Sequence, residues 1–251
     1  MHQFKQLPDE VAEIANAFLN IEIEGKTFPS PYFMNKAKSF AHASLSGKGT
    51  PGQITDLVKS TAYAFSFDLK TASVNEIRQF MLKNDIGIDC SGLAYQLMNK
   101  WVMLKKGKPL IKFLKMPRNP LRKALINMRS ISQISAEKLT NLENTDPVAL
   151  RNIEPGDLIR AKGIPKGDHV LVVTDVERDK GIVKSFEYIQ SISKYGDENG
   201  VRLGKVIVKN QLEPLEKQEW TDKDKDGINY TLEEYKYKVE DNGIRRLKAL
   251  K

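Results

Sequence analysis

The only cysteine, Cys90, stands in the run Gly87-Ile88-Asp89-Cys90-Ser91-Gly92, and a histidine, His169, stands in Asp168-His169-Val170. A thiol attacks as its thiolate, a form favoured by a helix N-terminus and by a neighbouring imidazole. After Cys90 the residues Leu93, Ala94, Leu97, Met98, Trp101 and Leu104 recur at helical spacing, which predicts that the cysteine opens a helix. Its own backbone N–H would then point toward an oxyanion formed at the thiol, and Gly92 leaves room for a close backbone approach. His169 opens the β-branched run His169-Val170-Leu171-Val172-Val173, which reads as a buried strand with the imidazole at its start. The other two histidines, His2 and His42, belong to the terminal and helical part. Singly, a cysteine is more often a small buried hydrophobe and a histidine merely a satisfied one. Their combination carries the chemistry: Cys90 as nucleophile and His169 as its base.

A base histidine needs a third polar group to hold its other nitrogen. The following strand offers Ser185, Glu187 and Gln190. Alternation puts Ser185 and Glu187 on one face and Gln190 on the other. Glu187 is favoured, because its charge would also stabilise the imidazolium.

The elements that must position these groups change period along the chain. Residues 7–20 read as a helix, with Val11, Ile14, Ala15, Phe18 and Leu19 at helical spacing. Thr50-Pro51-Gly52-Gln53 and Ser73-Val74-Asn75-Glu76 are capping boxes opening two more. From Pro155-Gly156-Asp157 onward strands dominate: Leu158-Ile159, the His169 run, Ile182 to Ile189 and Val201 to Val208. Tyr235, Tyr237 and Val239 alternate, and Asp241-Asn242-Gly243 is a hairpin signal before Ile244-Arg245-Arg246-Leu247. Helices first and antiparallel strands afterwards predict an α+β protein. It divides into a helical N-terminal region, 1–83, and a catalytic domain, 84–251, with a basic insert at about 100–150.

A chain of 251 residues with 40% hydrophobic content can bury a large core. Its single cysteine excludes an internal disulfide. No window approaches the ~20 apolar residues of a membrane span, and Met1-His2-Gln3-Phe4-Lys5 lacks the apolar core of a secretory signal. The net charge of +8 suits anionic surroundings such as an acidic wall polymer, lipid or nucleic acid, or serves solubility alone. No acidic residue occurs from Ser91 through Ala136. Aromatic residues are sparse in that stretch, which argues against stacking on nucleic-acid bases.

Ile88-Asp89-Cys90-Ser91-Gly92-Leu93 resembles the nucleophile motif of the NlpC-type peptidases. Pro155-Gly156-Asp157-Leu158-Ile159 with Asp168-His169-Val170 resembles the strand pair that brings that family its base. The resemblance covers roughly residues 84–210. It implies a papain-like fold, with the nucleophile helix packed on an antiparallel sheet or partial barrel. It also implies a cysteine hydrolase that forms an acyl-enzyme and cleaves amide bonds, typically in peptidoglycan stem peptides beside D-glutamate and a diamino acid. Asp89 and Ser91 would bind the substrate's free amine, no cofactor would be needed, and the cell envelope would be the place of action. The related CHAP amidases follow the histidine strand with a glutamate, similar to Phe186-Glu187-Tyr188 here, in agreement with Glu187 as third residue. Where the family carries an aromatic and paired glycines ahead of its nucleophile, with a tyrosine shaping the oxyanion hole, this chain has Gln79-Phe80-Met81-Leu82-Lys83-Asn84-Asp85. The sequence therefore assigns no oxyanion side chain; Tyr32-Phe33 and the Gly47-Lys48-Gly49 loop are candidates only for lining the groove.

Two other function classes compete. The same fold group includes acyl- and amine-transfer enzymes, and a non-catalytic module could dock an anionic polymer with Cys90 simply buried. A separate motif, Asp222, Asp224, Asp226 and Glu233, resembles the ligand spacing of a calcium loop, with Asn229 where an aliphatic residue is usual. An acidic, lysine-rich turn would give the same letters.

Overall fold

The computed structural model describes residues 2–34, 46–115, 131–162, 167–237 and 239–251. His42 and much of the basic insert, residues 116–130, lie outside the described residues. The helices are α1 (Asp9–Leu19), α2 (Pro51–Ala64), α3 (Val74–Lys83), α4 (Cys90–Lys106), α5 (Ala136–Thr140) and α6 (Tyr230–Tyr237). The strands are β1 (His2–Gln6), β2 (Ile21–Ile23), β3 (Lys26–Phe28), β4 (Thr145–Val148), β5 (Leu158–Lys162), β6 (Asp168–Asp179), β7 (Ile182–Ile192), β8 (Gly200–Ile207), β9 (Glu219–Trp220) and β10 (Gly243–Leu247).

Both capping boxes form: Thr50 and Ser73 each accept the N3 amide while Gln53 and Glu76 reach back. α4 begins at Cys90 and stops where Gly107 turns left-handed at φ 65°, a conformation that costs glycine little.

The main sheet is antiparallel in the order β4-β10-β5-β6-β7-β8-β9. Twelve-residue β6 is shared along one side by two partners: β5 pairs from Asp168 to Val172, and β1 from Asp175 to Asp179. The N-terminal region is thus not purely helical, because β1 completes the main sheet and β2 with β3 forms a hairpin. One core also crosses the 83/84 boundary, uniting Val11, Phe18, Ile54 and Ile77 with Leu93, Leu97, Val170 and Val172.

Strand alternation sorts the sheet into two faces. Leu158, Val170, Val172 and Ile189 pack under the helices. Ile159, Leu171, Val173, Phe186 and Tyr188 line the other face with Trp220 and Tyr235. That second face takes α6, which corrects the alternating strand expected at 235–239. The described part of that stretch is helical because Asn229 accepts the Leu232 amide at 2.8 Å, and Thr231 and Tyr235, four apart, bury one stripe. β10 therefore has no hairpin partner beside it; it runs between β4 and β5.

The Pro155-Gly156-Asp157 turn is anchored by charge. Arg246 grips Asp157 through Nε at 2.7 Å and Nη2 at 2.8 Å, and the second carboxylate oxygen also accepts the Glu154 amide. Burial pushes the Asp157 carboxyl up, opposed by Arg246. No described helix is long and apolar enough to cross a membrane.

Candidate active site

Cys90 occupies the first position of α4, where Asp89 is the N-cap and accepts the Gly92 amide at 2.7 Å. The free N–H groups of that first turn carry partial positive charge at the thiol. Two chain segments press against this turn, and glycine makes both approaches possible. A Cβ at Gly92 would stand 2.2 Å from the Gly47 carbonyl oxygen, and one at Gly87 would stand 2.2 Å from that of Pro31. The Asp89 amide donates to Gly47, the Ile88 amide to Pro31 and the Phe33 amide to Ile88. Residues far away in the chain are thereby brought against the nucleophile.

His169, at the start of β6, is buried at 7% exposure and Cys90 at 8%. Cys90 is close enough to act on the charge of the imidazole, and its thiol lies 3.9 Å from the Asp168 carbonyl oxygen. Burial opposes charge on the imidazole. Cys90 beside it, the Glu234 carboxylate and the hydrogen bond to Gln190 outweigh this and carry His169 from 6.5 to about 9. His169 therefore holds its proton well above the pH at which a free imidazole would release it.

The polar group that holds His169 is Gln190, not the expected Glu187. His169 Nε2 lies 2.8 Å from Gln190 Oε1. Register explains the correction. Val172 faces Ile189 across the β6–β7 ladder, so Gln190 falls beside Leu171 as a same-face diagonal neighbour of His169. Glu187 faces Asp175 instead, six residues along β6 from His169 or about 20 Å. Its carboxylate pairs with Lys205 at 3.5 Å, and Ser185 donates to Glu177 at 2.7 Å.

Gln190 is fully buried and held from behind. Its Nε2 donates to Asp222 at 3.1 Å and to Thr231 at 2.8 Å, while Thr231 donates to its Oε1 at 3.0 Å. Asp222 in turn accepts from Arg202 at 2.6 Å, and Arg202 lies over the Tyr195 ring at 3.5 Å. Burial pushes the Asp222 carboxyl up, and Arg202 draws it back down. Because a carboxylate only accepts, Asp222 orients the amide so that its oxygen faces His169 and Nε2 carries a proton. Gln190→Leu removes that acceptor and lets the ring swing. We expect kcat to fall roughly 10²-fold with KM little changed, as measured by steady-state kinetics on a cleaved peptide.

Asp222 thus serves the base rather than a cation. Asp224 accepts the amides of Asp226 and Ile228 at 2.9 and 2.8 Å in a closed turn, and Glu233 pairs with Lys236 at 3.7 Å. Among the described residues no three acidic, histidine or cysteine side chains group as a metal site.

Asp89 and Ser91 are both buried and both engaged by one residue of the 46–50 loop. Lys48 Nζ lies 2.6 and 2.5 Å from the two Asp89 oxygens and 2.5 Å from Ser91 Oγ. The place expected for a substrate amine is filled by the chain's own ammonium. Through its backbone Tyr32 bridges Ile88, two residues before Cys90. Burial raises its phenol well above the ordinary range, and Cys90, Asp89 and Glu234 push the same way, so it remains an O–H donor. Glu234, three residues beyond Thr231 on α6, pairs with Lys194 at 2.9 Å. The sequence offered Tyr32 and Lys48 only as candidates for lining the groove, and nothing local marked Glu234. Compared with family models, with curated proteins and with solved structures, the chain matches none of the three.

Proposed function

We propose that this protein is a cysteine hydrolase of papain-like, NlpC-type character that cleaves amide bonds, with peptidoglycan stem peptides as the substrate class. One observation carries the reading: Cys90 at the start of α4 contacts the Asp168 carbonyl at 3.9 Å, beside His169, whose Nε2 lies 2.8 Å from a fully buried Gln190. A nucleophile at a helix start, a base and an orienting amide in that order make a thiol acylation centre.

In the reaction Cys90 Sγ attacks the amide carbonyl carbon and a tetrahedral oxyanion forms. The first-turn N–H groups of α4 are donors for it, and the Tyr32 hydroxyl is a further one. The C–N bond breaks as the His169 imidazolium gives its proton to the leaving amine, and a thioester to Cys90 remains. Water then attacks the thioester carbonyl and gives a proton to His169. The C–S bond breaks, the acid leaves and the thiolate–imidazolium pair returns. Gln190 keeps the ring in place throughout.

The test is the rate of Cys90 alkylation by iodoacetamide at neutral pH, followed by mass spectrometry. We expect rapid modification in the native chain and a rate at least about tenfold lower in His169→Ala. Slow modification indifferent to His169 would instead favour the polymer-binding module, with Cys90 as an inert core residue.

A further inference from the structure

Lys48 is 3% exposed, yet its ammonium makes three short contacts, all to the residues on either side of the nucleophile. Ser91 adds a hydrogen bond of 2.9 Å to Asp89, and the Lys48 carbonyl accepts from Gln96 at 2.6 Å, so the lysine is fixed at both ends. A carboxylate and a hydroxyl gathered round one point form a receptor for a primary ammonium. Set one residue either side of Cys90, such a receptor would select substrates carrying an amine beside the scissile carbonyl. In this chain the receptor is already saturated, and a second cation there would meet like charge in a buried site.

Resting on the hydrolase reading, we infer that Lys48 is a specificity-determining residue that closes this subsite to amines. The acyl group delivered to Cys90 is accordingly one without a free ammonium at that place: an N-acylated or chain-internal peptide unit rather than a free amino terminus. Lys48 acts as a built-in stand-in for the amine, holding the Asp89 cap of α4 and the nucleophile turn in shape. Excluding a ligand by occupying its site is a route to selectivity as effective as adding contacts for another.

Two aminoacyl halomethyl ketones, identical except that one is acetylated on its amine, test this without knowledge of the natural substrate. Labelling of Cys90 is followed by mass spectrometry in the native chain and in Lys48→Ala. We expect the native chain to react with the acetylated reagent at least as fast as with the free amine. Lys48→Ala should shift that ratio about tenfold or more toward the free amine. Because alanine leaves out the equivalent of n-propylamine, adding propylamine should return the variant to the native ratio and raise its melting temperature, whereas 1-propanol should do neither. A native preference for the free-amine reagent overturns the inference, as does a variant ratio that neither shifts nor responds to propylamine. If Lys48→Ala does not fold, the native ratio alone decides. If neither reagent labels Cys90, the hydrolase reading falls and takes this inference with it. Labelling with the wrong ratio sinks only the role of Lys48.

Discussion

If the proposed hydrolase mechanism holds, Cys90→Ala and His169→Ala are each expected to lower kcat/KM for peptide cleavage by roughly 10⁴-fold or more, without loss of the fold. The reason for the size is that both act in the same steps, so removing either disables the unit. The fold survives because neither side chain holds the sheet together. β6 keeps its ladders to β5, β7 and β1, and α4 keeps its Asp89 cap and its buried face. Cys90→Ala removes one sulfur at a site that is 8% exposed, a packing loss of about 1 kcal/mol that adds to the loss of its interaction with His169. The double variant should be no worse than either single one. Peptide turnover with product analysis, alongside circular dichroism and thermal melting, reads both halves. Substantial activity in either variant would remove the acylation mechanism.

The second large effect is on the titration of His169. With its proton held to about 9 against an ordinary 6.5, the folded state binds that proton more tightly than the unfolded chain does. The stabilisation is therefore complete below pH 6.5 and lost as pH rises through about 9. A shift of that size corresponds to about 3 kcal/mol, and it belongs to the Cys90–His169 pair. Catalysis should follow the same limb: kcat/KM declines above pH 9, where the leaving amine no longer finds a proton on His169. In Cys90→Ala the thiolate is gone while the burial remains, so the imidazole should titrate near or below 6.5. NMR of the ring resonances against pH measures both values. An unchanged titration in the variant would mean that Cys90 does not set the charge of His169.

Local chemistry was legible where the signal lay in neighbouring residues. The capping boxes at Thr50 and Ser73 announced α2 and α3, and the period change after Pro155 announced the strands. Cys90 at a helix start and His169 at a strand start followed from the hydrophobic spacing around them. Their meeting, by contrast, needs β6 and α4 packed together, and the orienting residue needs a register. Alternation along β7 correctly separates Glu187 from Gln190. It does not say which of the two faces His169; the Val172–Ile189 pairing decides that. Charge alone favoured the glutamate, whereas the fold offers a neutral amide backed by Asp222 and Thr231. The 235–239 segment alternates like a strand, yet Asn229 and the second apolar face of the sheet turn its described part into helix. Lys48 and Tyr32 lie 42 and 58 positions before Cys90. A one-dimensional pattern carries periodicity and caps, which are local. It does not carry which distant backbone will pass within reach of Gly87 and Gly92, because that depends on the closure of the whole core.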